Sequence, residues 1–224
     1  MLNKQHIKSA SIIKLGNSLF VQIGSVIMGQ QIIELNCPGC GARVSTGQKE
    51  CDWCHKPVII TTFNSVYSMP IAEVNKYAGA YKTTLKENPD SDEINKSVAM
   101  CYLKLKIYDK ALASFERAIE DNFDDSETYF YAAVCLLNGK KAFLAQRNII
   151  DKVIQYIDAA NMIEPKGIYY YYLSYIKYDF FERKYLNTSP NYIDCLETAN
   201  EYGVSEYDKN MLFDILGVSK PSVL

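Results

Sequence analysis

Apolar and polar positions change rhythm twice along the chain. Residues 9–29, SASIIKLGNSLFVQIGSVIMG, place Ile12, Leu15, Leu19, Phe20, Ile23, Val26 and Ile27 on one face of a helix. Lys14, Asn17, Ser18, Gln22 and Ser25 fall on the other. This spacing predicts an amphipathic segment within residues 1–30. A β-hairpin turning at Gly16-Asn17 is the alternative, because three glycines interrupt the stretch. Next, IIEL at 32–35 and KPVIITTF at 56–63 read as strands around two turns, so residues 31–64 form a small β unit. A linker is expected over 65–71, and a helical body over 72–217 with a short tail at 218–224.

Within that body, residues 91–125 carry two apolar stripes. Val98, Ala99 and Tyr102 lie on the first, and Ala111, Phe115 and Ala118 on the second, with KIYDKA between them. Small residues at 99, 111 and 118 let two antiparallel helices approach closely, and Tyr102 and Phe115 fill the space beside them. Pro89 and Phe123 are 34 residues apart. The next unit has Tyr129, Ala132, Ala133 and Leu136 at matching positions, and its second helix ends at Pro165. That is 76 residues after Pro89, which leaves about eight inserted residues, placed in GKKAFLAQRNIIDK. A degenerate third unit runs from GIYYYYLSYIKYDFFERKYL through NYIDCLETANEY, its tyrosines read as packing residues. Ser205 then caps a last helix that Gly217 ends.

This pattern resembles the tetratricopeptide repeat (TPR) family, with Asn95 in place of the opening aromatic and Phe123 in place of the closing proline. The resemblance implies a mostly α protein, a right-handed α-solenoid of about three TPR-like helical hairpins behind the small β unit. It also implies a peptide groove lined by the first helix of each pair. By register the lining is Glu93, Lys96, Met100, Leu103 and Lys104, then Glu127, Phe130, Val134, Leu137 and Asn138. Met100 and Val134 stand where a carboxylate clamp needs asparagines. The groove therefore suits an extended segment or an amphipathic helix of a protein partner. The alternative is a groove covered by the chain's own N-terminal segment.

The cysteines add chemistry. Cys37 and Cys40 form one Cys-x-x-Cys pair, and Cys51 and Cys54 form a second after ten intervening residues. Each pair sets two thiolates on one side of an ion, and the two together close a tetrahedral shell, so the metal is one structural Zn2+ with no open position. Residues 32–63 resemble the zinc-ribbon family. Gly41 permits the left-handed turn after the first pair, and His55 takes the same place after the second. His55 as a ligand in place of Cys54, and Trp53 as a contact residue, are the lesser readings. Cys101, Cys135 and Cys195 lie singly in helical runs and read as small buried hydrophobes.

Composition narrows the function. At 48% hydrophobic and 22% charged residues the chain is a folding sequence. Its net charge of −2 divides into +3 over residues 1–70 and −5 beyond, and Arg43, Lys49 and Lys56 are the only local basic group near the cysteines. That footprint is thin for nucleic acid. Two histidines, and the lack of a phosphate loop or nucleophile elbow, argue against an enzyme. The cysteine usage and the start of the chain fit a reducing cytoplasm. The expectation is a non-enzymatic cytoplasmic adaptor or scaffold for a protein or peptide partner. Alternatives are a nucleic-acid-associated regulatory factor acting through the ribbon, or a membrane-surface adaptor anchored by residues 9–29, which are also a candidate oligomer contact.

Overall fold

The computed structural model describes residues 32–224 and, ahead of them, the backbone of two strands. These are β1 (Ser11–Leu15) and β2 (Ser18–Gln22), paired antiparallel with Leu15 opposite Ser18 and Ser11 opposite Gln22. The helix expected here is corrected: residues 11–15 and 18–22 are the paired strands of the hairpin alternative. Ile12, Ile13, Phe20 and Val21 favour extended backbone, and Gly16-Asn17 separates the two strands. The rest of the 9–29 segment lies outside the described residues. The shared helical face on which the membrane and oligomer expectations rested is not formed by residues 11–22.

Residues 33–224 form a second unit with its own core. It begins with β3 (Glu34–Asn36) and β4 (Arg43–Ser45), antiparallel, with Leu35 facing Val44. The expected third strand shrinks to one bridge between Glu50 and Pro57. Beyond it the chain leaves the ribbon because helix side chains take its carbonyls. Tyr77 donates to the Pro57 carbonyl at 2.9 Å, Tyr81 to Val58 at 2.8 Å and Ser97 to Ile60 at 3.0 Å. Val58 and Ile60 are buried. Residues 65–71, expected as a linker, start inside a short helix, α1 (Phe63–Tyr67), whose Phe63 and Val66 are buried.

The body follows as α2 (Ile71–Thr84), α3 (Asp92–Lys104), α4 (Tyr108–Asp121), α5 (Ser126–Leu136), α6 (Arg147–Ile163), α7 (Gly167–Ile176), α8 (Tyr192–Glu201) and α9 (Glu206–Leu216). α3 packs on α4, α5 on α6 and α7 on α8, three TPR-like hairpins in succession behind α2. Ser91 and Asp125, the N-caps of α3 and α5, are 34 residues apart. Lys166, which opens α7, comes 41 residues after Asp125. The seven extra residues go into a 3-10 turn at Ala142–Leu144 and a seventeen-residue α6. The missing aromatic is explained too. Asn95 is buried and its amide donates to the Pro89 and Ser91 carbonyls at 2.8 and 2.9 Å, so it fastens the loop before α3.

Four tyrosines of α7 are packing residues with a placed hydroxyl: Tyr169, Tyr171, Tyr172 and Tyr175 are buried and each hydroxyl has a hydrogen-bond partner, while Tyr185 is exposed. Tyr172 donates to Ala133 at 3.1 Å, and Tyr169 meets the Ser126 hydroxyl at 3.1 Å. After α7 the helix widens into a π-turn, Lys177–Phe181. This carries the buried Asp179, which pairs with Arg183 and accepts the Phe143 N–H at 2.8 Å. The inserted turn is thereby fixed to α7. α9 has a capping box at Ser205 and a left-handed Gly217 at its end. It lies against α5 and α7, where Phe213 meets Tyr175 with ring centroids 5.2 Å apart.

Candidate metal centre and concave face

Both cysteine pairs sit on matching turns. The Cys37 N–H donates to the Ala42 carbonyl at 2.7 Å and the Cys51 N–H to Lys56 at 2.9 Å. The Gly41 N–H returns to the Cys37 carbonyl and the His55 N–H to that of Cys51, each at 2.8 Å. These returns need a left-handed residue, and Gly41 and His55 have φ of 82° and 55°. Gly39 sits in a tight place for another reason: a Cβ there would lie 2.8 Å from the Lys56 side chain and 3.1 Å from Cys54 Sγ, so a larger residue would displace the lysine.

The turns bring the four sulfurs together. All lie within 4.8 Å of one another, with Cys37–Cys54 at 3.6 Å and Cys40–Cys51 at 3.7 Å. A disulfide needs about 2.05 Å, so neither pair is bonded. A tetrahedral shell with metal–sulfur bonds of ~2.3 Å has sulfur–sulfur edges of roughly 3.8 Å. The donor set therefore fits a four-thiolate metal ion. The Trp53 and Cys54 backbone N–H groups pointing at Cys51 lower its thiol to about 7, towards the thiolate a metal needs. Burial pushes the Cys37 thiol up. Burial also raises the isolated thiols, Cys101 to about 12 and Cys195 to about 11, and it raises Cys135, as fits packing residues. His55 is not among the clustered ligands, and Trp53 stands 80% exposed on the second turn.

The predicted groove residues divide. Met100, Leu103, Phe130, Val134 and Leu137 are buried. Part of the cover is the segment after the ribbon: Ile60 is held by Ser97, and Phe63 packs on Tyr131 with ring centroids 5.0 Å apart. The rest comes from the far end, as α9 lies on α5 and α7 and Tyr108 donates to its Ile215 carbonyl at 2.9 Å. The alternative of cover by the N-terminal segment concerns residues largely outside the described ones, and the cover seen here is a different one. The cover is residues 58–67 and the C-terminal helix.

The polar members of the set are partly spent. Lys96 pairs with Asp125. Burial would raise the Asp125 carboxyl, but the Lys96 ammonium outweighs it and holds it below the usual range. Lys104 Nζ sits 4.2 Å from the Tyr67 ring centre. The Asn138 amide donates to Asp109 at 3.2 Å. Glu93 is half-buried and its carboxyl is raised, by burial first and then by Asp92. Glu127 lines a cavity of about 320 Å³ between α1, α5, α7 and α9. Sequence reasoning missed this cavity, because its wall is completed by Asn64 of α1 and by Asp208 and Met211 of α9, far away in the chain.

No family model matches the sequence, and no curated protein matches it. Solved structures do. Residues 41 to the end of MamA from Desulfovibrio magneticus RS-1 align at 18% identity over 69% of this chain and 75% of that one, with a TM-score of 0.42. MamA of strain AMB-1 aligns at 15% identity over 65% and 82%, TM-score 0.46. MamA of strain MSR-1 aligns at 17% over 68% and 78%, TM-score 0.40. At these values the likeness assigns no partner or activity, and the fold rests on the helix pairing described above.

Proposed function

We propose that this protein is a non-enzymatic interaction scaffold of the TPR kind. Its zinc ribbon holds one structural Zn2+ through Cys37, Cys40, Cys51 and Cys54, and its solenoid carries the partner surface. The observation behind this reading is the run of three helical hairpins, two of them in register at the 34-residue spacing of Ser91 and Asp125. Such a stack buries its hydrophobic faces between neighbours and offers its remaining surfaces to partners.

The partner is a protein, in a reducing compartment that keeps the thiols free. Nucleic acid is the weaker reading. Of the three basic residues near the cysteines, Lys56 pairs with Glu73, which leaves Arg43 and Lys49. Two phosphate contacts give little affinity at physiological salt. Among the described residues no helix is long and apolar enough to cross a membrane. The test is chemical crosslinking of the native protein in cells, followed by purification. One protein partner recurring at constant ratio is expected. Recovery of the chain alone, or with nuclease-sensitive material only, sinks the reading.

A further inference from the structure

The concave face is covered at both flanks and open between them. Residues 58–67 close one flank and α9 the other. The gap is the cavity of about 320 Å³, within the size range of small-ligand pockets. Its floor is aromatic. Phe130, Tyr131 and Tyr169 are buried there, with the Phe130 and Tyr169 ring centroids 4.7 Å apart. Its rim holds two carboxylates, Glu127 and Asp208, and one ammonium, Lys166.

These charges are not equally engaged. Lys166 is held by Glu164 at 2.8 Å, outside the cavity lining, and stands 3.8 Å from Glu127. Asp208 uses one oxygen, Oδ2, to cap Ser205. The rim therefore carries two carboxylates against one ammonium, which Glu127 shares with the closer Glu164 and which also stands 5.7 Å from the Tyr169 ring centre. Both carboxylates act on one point of the floor: after burial, Glu127 and Asp208 are among the groups that raise the Tyr131 phenol. An apolar occupant would strip water from both carboxylates without replacing it. An acidic one would be repelled. A cationic side chain meets the carboxylates at the rim and lays its apolar stem towards the aromatic floor.

We propose that this cavity receives an arginine or lysine side chain of the partner protein. The inference rests on the scaffold reading and gives the partner its chemistry: a peptide segment with one basic anchor.

The test is selection of random peptides displayed on phage against the full chain, then synthesis of the consensus peptide. The expected consensus has one fixed Arg or Lys. Its replacement by Gln should weaken binding at least tenfold. Glu127→Gln should weaken it about three- to fivefold, the weight of one partly solvated charge pair. Asn64→Arg, which puts a cation on the cavity wall from α1, should compete with the peptide and abolish binding. Neither variant should shift the melting temperature, since Glu127 is half-buried and Asn64 exposed. A consensus without a basic position, or affinity unchanged in Glu127→Gln and Asn64→Arg, overturns the cation site and leaves the scaffold standing. Selection of no peptide, together with no crosslinked partner in cells, overturns both.

Discussion

Phe63→Ala separates a covered groove from an open one. A phenylalanine beside a linker would cost almost nothing to truncate. In this fold Phe63 is 1% exposed and packs on Tyr131 and Tyr67, with ring centroids 5.0 and 5.9 Å away. Truncating such a side chain removes its transfer energy and leaves a cavity, for about 3–5 kcal/mol. With a urea m-value of about 2 kcal/mol per molar, the midpoint should fall by roughly 1.5–2.5 M. The assay is urea unfolding followed by far-ultraviolet circular dichroism. Asn64→Ala, one residue on and exposed, is the control and should change stability by less than about 0.5 kcal/mol. A loss below about 1 kcal/mol for Phe63→Ala would refute the reasoning, because the ring would then not be filling the face of α3 and α5.

Metal analysis of the purified protein should give one zinc per chain; thiol titration in the native state should find Cys101, Cys135 and Cys195 protected, and chelation should expose the other four. Zinc-free protein that keeps Cys37, Cys40, Cys51 and Cys54 freely reactive and remains fully stable would refute the metal site. Trp53, the single tryptophan, should emit as a solvated indole and be quenched by acrylamide, and Trp53→Ala should change stability by less than about 0.5 kcal/mol. The Asp125 carboxyl lies below its unfolded value, so its contribution is complete above the ordinary carboxylate pKa of about 3.9 and fades as pH falls through the folded value. Asp125→Asn keeps a good N-cap and should therefore flatten the loss of stability below about pH 4, as measured by denaturation at stepped pH.

What the sequence discloses here is mostly local. The two Cys-x-x-Cys turns are closed by hydrogen bonds within five residues, so their spacing alone foretells four converging sulfurs. The helical hairpins are legible for a similar reason: caps such as Ser91, Asp125 and Ser205 act on the next turn of chain. KPVIITTF misled because β-propensity describes a pleated surface and not the final partner. Its carbonyls are claimed by Tyr77, Tyr81 and Ser97, which lie 20, 23 and 37 residues downstream. Residues 9–29 fit a helical wheel and a hairpin equally, and the two-residue connection between β1 and β2 matches the hairpin. Burial of the groove could not be read from α3 and α5 at all, since their cover arrives from both ends of the unit.

The stretch from Cys54 to Phe63 is a ruler. One end is fixed by the sulfur cluster and the other by the ring against Tyr131, and between them three hydroxyls grip the carbonyls of Pro57, Val58 and Ile60. Extended chain advances about 3.3 Å per residue, more than the tolerance of any of those hydrogen bonds. A single inserted residue must therefore pull Phe63 from its seat or Pro57 from Tyr77, with a fall in unfolding midpoint comparable to that of Phe63→Ala. Loops elsewhere in the molecule can drift in length, as the insertion before α6 already has. This interval cannot, so its length is a stricter mark of the architecture than the identity of most residues within it.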